Sequence, residues 1–423
     1  MNEDSQDKNS YSFKGTDTGI LNDINSDHLS LLLIINAGSS SIKFGLYSDG
    51  DKPDKILSGQ INRIGLPNAG VTYTNVKTGK SKKDLLPAGD YSSTVEFLIN
   101  GLQKQIDFKN VTAIGHRVVH GMRHTSPTLV TPGLLKDLKQ VIPYDPDHLP
   151  NEIKLIEAFQ KHHPEIGQYA CFDTNFHQTM PQVAKQLPIP RRFEKQGIHR
   201  YGFHGLSYNY LMNELEKLAG KKAAMGRVIL AHLGSGASVA AVFEGKSIDT
   251  TMGFTPAGGL PMSSRPGDLD PGVAWVMMKN ENLSPEQFSH IINHESGLLG
   301  ISETSGDMND LLQQQATDKR SAEAVSLFCY QVKKWIGAYA AALGGVDFLV
   351  FAGGIGENSP VIRARVCEGM SFLGIQLDET SNNENAPIIS ANEIGVVIRV
   401  IPTNEELMIA MIVSKLLLNN KTR

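Results

Sequence analysis

LLIINAGSSSIKFGLY, residues 32–47, decides how this chain is read. An apolar run ends at Asn36, a turn of small residues from Ala37 to Ser41 follows, and apolar residues resume around Lys43. The pattern predicts strand, tight turn, strand. Glycine and serine let the main chain approach a ligand closely, and their N–H and hydroxyl groups suit phosphate oxygens. Asn36 offers a carbonyl oxygen to a metal, directly or through water, and Lys43 adds a point charge. Taken alone, the segment reads equally well as a serine-rich hairpin.

The rest of the chain repeats the theme. VILAHLGSGASVAAVF at 228–243 has the same order of strand, small-residue turn and strand. FLVFAGGIGENS at 348–359 reads as a strand running into a helix N-terminus, where main-chain N–H groups and the dipole favour an anion. Similar loops in two halves imply a duplicated architecture with a nucleotide held between them. Ala322 to Leu343 carries apolar residues at helical spacing. The commoner nucleotide signatures are missing. Gly79-Lys80-Ser81 and Gly245-Lys246-Ser247 lack the glycine five residues earlier that a P-loop needs, and no G-x-G-x-x-G follows a strand.

Composition narrows the class. At 423 residues the chain exceeds one compact core, so two domains are expected. A net charge of -4 without a basic block argues against nucleic acid or an acidic membrane surface as partner. Cys171, Cys329 and Cys367 are odd in number and show no C-x-x-C spacing, which suits a reducing cytoplasm and small buried hydrophobes. Residues 1–29 are polar and acidic, unlike a secretory signal or a transit peptide, and read as a disordered extension. Apolar runs such as Leu31 to Ile35 are of strand length and too short to span a bilayer. A soluble, cytoplasmic protein is expected.

Ten segments then appear in one order: INAGSSSIK (35–43), GHRVVHG (115–121), FDTNFHQTMP (172–181), RYGFHGLS (200–207), HLGSGAS (232–238), DTTMGFTP (249–256), RPGDLDPG (265–272), SGLLGIS (296–302), GGIGENS (353–359) and PTNEEL (402–407). Together they resemble the acetate kinase family, the acyl-phosphate-forming kinases of the actin/hexokinase/Hsp70-like superfamily. The resemblance implies a two-domain α/β fold of the actin-like (ASKHA) type with duplicated ribonuclease-H-like cores. It puts one domain at 30–174 plus 405–423 and the other at 175–404. It implies reversible, ATP-dependent phosphorylation of a short-chain carboxylate (acetate, or propionate) to an acyl phosphate by direct in-line transfer, with Mg²⁺ (or Mn²⁺) and a homodimer.

Such a reaction needs no general base, because a carboxylate with a pKa of about 4–5 is already ionised at pH 7. It needs positive charge that brings two anions together. By resemblance, Arg265 acts on the reacting phosphoryl group and Arg117 on the substrate carboxylate; outside such motifs, each would read as a surface ion-pair partner. Guanidinium forks suit bidentate contact with either anion. His204 matches a histidine that donates to the phosphoryl group. His148 matches a second family histidine if Pro150 anchors the register, and Asp145 is the other occupant of that column. Asp173 matches a residue often given an acid–base role, read here as orienting Arg117 or metal-bound water. His120, His177 and His199 are expected to support the site from behind. Asn36 and Glu405 match the metal positions, with Glu406 the weaker candidate. Val119, Phe203 and Pro256 match the acyl pocket. Nucleotide phosphates are expected on Ser39, Ser41, Lys43 and the loop His232, Leu233, Gly234, Ser235, Gly236. The adenosine end is expected at Asp307, Met308, Asn309 and at Gly354, Ile355, Gly356, Glu357, Asn358.

Four residues depart from the family pattern. Ser235 replaces an asparagine, Asn309 an arginine and Met122 a glycine, while Asp147 stands where leucine usually precedes the histidine. A carboxylate beside a methyl pocket is unfavourable unless paired or solvated, so either Asp147 turns away or the substrate is not plain acetate. Two alternatives follow: a kinase for another carboxylate, such as butyrate or a polar acid, or a nucleotide-binding regulator of weakened catalysis.

Overall fold

A computed structural model of the chain describes residues 30–38, 41–65, 69–86, 89–391 and 395–421. The acidic extension 1–29 and Ser39 lie outside the described residues. The rest form two sheets. Strands β1 (Leu31–Ala37), β2 (Ile42–Ser48), β3 (Lys55–Asn62), β4 (Gly70–Asn75), β5 (Ser81–Leu85), β6 (Val111–Val118), β7 (Thr128–Leu129) and β8 (Gly167–Phe172) pair in the order β5-β4-β3-β2-β1-β6-β8-β7. Strands β9 (Val228–Leu233), β10 (Ala237–Phe243), β11 (Lys246–Thr250), β12 (Phe348–Ala352) and β13 (Val397–Val400) pair in the order β11-β10-β9-β12-β13.

The duplication is visible in that order. In each sheet a central strand, β1 or β9, has an antiparallel hairpin partner on one side and a parallel strand, β6 or β12, on the other. Central parallel strands are covered on both faces, so they read as unbroken apolar runs. Leu31 to Ile35 are all buried, and so is every residue of β9. The opening stretch forms the expected hairpin, with Asn36 opposite Lys43 and Ala37 opposite Ile42. Its counterpart joins β9 to β10 through Gly234, Ser235 and Gly236, with Leu233 opposite Ala237.

Two helices tie the sheets together. Helix Gly205–Ala219 buries Leu206 with Leu32, Ile34, Ala113 and Cys171 of the first sheet. Its Tyr208, Leu211, Met212 and Leu215 pack against Val228, Leu230 and Val350 of the second. Helix Glu405–Lys421 follows β13 yet lays Met408, Ile409, Ala410 and Val413 on the first sheet. Each such side chain contributes about 1.5–3 kcal/mol of burial, enough to hold the chain's last crossing in place. The three cysteines are free and buried, and burial pushes the Cys171 thiol up to about 12, as befits inert packing residues. Among the described residues no helix is long and apolar enough to cross a membrane.

The core also holds neutral histidines. His116 Nε2 donates to Gln168 Oε1 at 2.7 Å, and burial pushes its imidazole down to about 4. His177 Nε2 donates to the Phe203 carbonyl at 2.9 Å, and burial lowers it likewise to about 4. An unfolded histidine takes up its proton near pH 6.5 and these folded ones near 4, so acidification through that window favours the unfolded chain, by about 1.4 kcal/mol per unit of difference for each. Urea midpoints should therefore fall between pH 7 and pH 4.5 (about the window those values define), and His116→Asn should make the fall shallower. A midpoint whose pH dependence is the same with and without His116 would contradict this assignment.

Candidate active site

The strands end at a cleft. The ends of β9 and β12 open into it, in keeping with the rule that open α/β sheets bind ligands beyond their carboxyl ends. A cavity of about 750 Å³ there is lined by Lys43, His204, His232, Gly234, Ser235, Gly236, Asp307, Met308, Asn309, Gly354, Ile355, Glu357, Asn358 and Glu405. Ser263, Thr403 and Glu406 complete its wall. Ser41 is not among the lining residues; its carbonyl accepts the Gly38 N–H within the hairpin turn at 2.7 Å. Leu233 and Gly356 are buried, so Leu233 has only main chain to offer a ligand. A larger cavity, about 860 Å³, runs past Arg123, Lys195, His199 and Tyr201 and holds no phosphate loop, and neither cavity is lined by Arg117 or Arg265.

At the floor, β6 delivers Arg117 and β8 ends just before Asp173. Arg117 Nη2 meets Asp173 Oδ2 at 2.6 Å, and Arg117 Nε lies 3.9 Å from Glu405 Oε2. Burial works against the Arg117 charge, but Asp173 and Glu405 outweigh it and hold the guanidinium above its ordinary value. Asn36 Nδ2 donates to Glu405 Oε2 at 3.0 Å and to Glu406 Oε1 at 3.2 Å. Burial pushes the Glu405 carboxyl up, opposed by Arg117 and reinforced by Asp173 and Glu406.

His204 and Arg265 face each other over the second phosphate loop. A β-carbon at Gly236 would stand 3.1 Å from Arg265 Nη2 and 3.2 Å from His204 Nε2, so both groups bracket that turn. Arg265 Nη1 is anchored on the Pro256 carbonyl at 2.8 Å. His204 Nδ1 bonds Ser238 Oγ at 2.8 Å, and Ser238 in turn bonds the Tyr208 hydroxyl. Burial first, then the neighbouring His232, Arg117 and Arg265, hold the His204 imidazole well below its usual value. Its backbone is left-handed, φ 59°, at the N-cap of helix Gly205–Ala219. Such strain persists where the surroundings over-determine it. Here Gly205 N donates to the Asp173 carbonyl at 2.8 Å, and a β-carbon at 205 would overlap that oxygen.

The acyl side is apolar. Val119 and Phe203 are buried in one cluster, and Pro256 is half-buried beside them. His120, Tyr201 and Phe254 wall it, with His120 4.6 Å from the Tyr201 ring, which His199 stacks on from outside. Asp147 turns to the opposite lobe, its Oδ1 3.1 Å from His294 Nε2. Asp145 and His148 are joined directly, Oδ1 to Nδ1 at 2.8 Å. Met122 adopts φ 50°, so its position asks for the left-handed backbone that glycine gives most easily.

Several supporting contacts carry no sequence signal of their own. Glu357 lines the nucleotide end, yet its Oε1 accepts the N–H groups of Gly353 at 2.8 Å and Thr403 at 3.0 Å. Thr403 Oγ1 bonds Ser207 Oγ at 2.7 Å, and Ser207 bonds His232 Nδ1 at 2.8 Å. Arg363, fully buried, donates to the carbonyls of Gly356 and Glu357 at 2.9 and 3.0 Å and so sets the shape of that loop. Glu152 receives the Val119 N–H at 3.1–3.2 Å. Each could be found only through its fold neighbours.

Divalent metal fits the floor of the cleft. Asp173 Oδ1 is buried without a protein partner, next to Glu405, Glu406 and the Asn36 amide. Among the described residues no group of three or more His, Cys, Asp or Glu side chains could hold a metal by themselves. Magnesium keeps several waters and takes one or two carboxylates plus substrate phosphates, so Asp173 Oδ1 and Glu405 are the protein oxygens that could hold it.

Comparison with known proteins agrees with the geometry. The sequence profile of the Acetokinase family matches residues 31–411. The acetate kinase of Rhodopseudomonas palustris (strain TIE-1) is 43% identical over 389 residues, covering 90% of this chain and 96% of that protein. Among solved structures, the acetate kinase of Porphyromonas gingivalis superposes with a TM-score of 0.81 at 36% identity, covering 92% of this chain and 100% of that one. A propionate kinase from Francisella tularensis superposes with a TM-score of 0.84 at 35% identity, covering 91% and 99%.

Because the Gly205 N–H seats the turn that carries His204 on the Asp173 carbonyl, Gly205→Ala should lower kcat by about 10²-fold while leaving the ATP KM within about threefold. Steady-state kinetics check this, and full activity in Gly205→Ala would show that the close approach is not required.

Proposed function

The chain belongs to the acetokinase family, and on that premise we propose that acetate, or propionate, is the acid it phosphorylates, by direct in-line transfer from ATP. It is an ATP-dependent carboxylate kinase. The observation that carries the finer reading is the convergence of Arg117, His204 and Arg265 beside the apolar cluster of Val119 and Phe203. Asp147 supports a short alkyl substrate, since its carboxylate engages His294 across the cleft.

In this reading Arg117 binds the incoming carboxylate, and Val119, Phe203 and Pro256 take its alkyl end. Asp173 is spent on Arg117 and aligns it rather than removing a proton, because the acid arrives ionised. The guanidinium of Arg265 spans toward the oxygens of the moving phosphoryl group, where charge spreads in the transition state. His204, neutral before substrate binds, gains a reason to hold a second proton once anions enter, and then donates an N–H to the same group. Lys43 and the Gly234–Gly236 turn receive the remaining phosphates. Magnesium, held through Asn36, Glu405 and the open oxygen of Asp173, would supply the positive charge that neutralises the nucleotide phosphates.

The accompanying domain division sets 30–174 with 405–423 against 175–404, and the packing of the last helix on the first sheet supports it. A homodimer in the cytoplasm completes the proposal. Helix Pro271–Glu281 has no buried residue and leaves Trp275 68% exposed beside Val273 and Val276, an apolar face suited to a second copy.

Trapping with hydroxylamine tests the reaction directly. Acyl hydroxamate should form from acetate and propionate in an ATP-dependent manner. Arg265→Ala should reduce its rate by about 10²–10³-fold, the scale of one charged transition-state donor, and Arg265→Lys should recover only part. Absence of hydroxamate from every C2–C4 acid would overturn the substrate assignment.

A further inference from the structure

The turn that enters helix Leu149–His162 carries a carboxylate with no role so far. Asp145 is 4% exposed, and its Oδ1 accepts the His148 Nδ1 hydrogen at 2.8 Å. Its second oxygen, Oδ2, is buried without a partner. Burying a carboxylate is costly unless hydrogen bonds and opposite charge compensate it. Here the compensation comes from His148 and from Arg265, whose charge Asp145 favours more than any other group does. The other charged or titratable groups around this corner are Asp147, which is tied to His294, together with Glu152 and His120.

We propose that Asp145 is a positioning residue for the transfer, clamping the His148 ring so that Nε2 is presented to the substrate cleft. A carboxylate on one imidazole nitrogen fixes both the tautomer and the plane of the ring, as in other paired histidines. With Nδ1 turned inward to Asp145, the opposite ring nitrogen lies on the outward edge, and the His148 side chain is 21% exposed. The ring cannot turn Nε2 away without losing the Asp145 bond. The inference rests on the cleft being the carboxylate kinase site described above.

The test combines kinetics with a readout that needs no substrate. Heteronuclear NMR of the imidazole nitrogens should show His148 protonated at Nδ1 in the wild type, and as a tautomer mixture in Asp145→Ala. In hydroxamate assays Asp145→Ala should lose about 10–100-fold in kcat, with the ATP KM changed less than about threefold. Asp145→Asn keeps an acceptor and should recover most of that loss. In a His148→Ala background, Asp145→Ala should add nothing. Thermal midpoints of all variants separate misfolding from misplacement. The proposal is overturned if the tautomer is the same with and without Asp145, if Asp145→Ala turns over like wild type, or if the two losses simply add. An inactive wild type with an Asp145-dependent tautomer would leave the clamp standing and remove the assigned reaction instead.

Discussion

Two guanidinium groups must stay charged in a cleft that burial makes hostile to charge, and most of the structure around them answers that demand. Arg117 is kept ionised by Asp173 and Glu405, which come from different ends of the chain. Among the described residues no carboxylate forms an ion pair with Arg265; burial lowers its guanidinium, Asp145 and Asp147 oppose that, and Arg117 adds to it. The result is a site with cationic capacity to spare on the phosphoryl side. Anions that enter relieve the repulsion among the cations already there, which is how binding and transition-state stabilisation come from the same groups.

Duplication supplies the frame. Each sheet presents its first hairpin turn and its neighbouring parallel strand to one cleft, so equivalent loops approach from two sides. The first turn brings Lys43, the second the Gly234–Gly236 turn, and the strand-to-helix junction after β12 brings Gly354 to Asn358. Crossing of the C-terminal helix back to the first sheet carries Glu405 into contact with Asn36, residues that are remote in sequence. Glu357 and Arg363 then fasten the nucleotide loop from below, with a hydrogen-bonded chain from Thr403 through Ser207 to His232.

What the sequence made legible was main-chain chemistry. The hairpin from Asn36 to Lys43 follows from an apolar run broken by small residues, and β9–β10 follows from the same rule. The motifs carrying Arg117, Asp173, His204 and Arg265 are brought together in pairs, Arg117 with Asp173 and Arg265 with His204 at Gly236. Side-chain direction was not legible. Glu357 looked like a ligand residue and points instead to Gly353 and Thr403. Asp147 seemed to threaten the acyl pocket and reaches His294, far away in the chain. In the sequence Asp145 and His148 are rival occupants of one column, whereas in the structure the two form a single unit. The remote partners, His294 for Asp147 and Thr403 for Glu357, come from other elements, and no local pattern encodes them.

Helix Gly205–Ala219 belongs to both cores, and His204 stands at its first turn. A segment embedded in two rigid bodies is the fulcrum for any rocking of one against the other. Groups on a fulcrum would shift least if one core moved against the other, and His204, at the N-cap of that helix, is such a group.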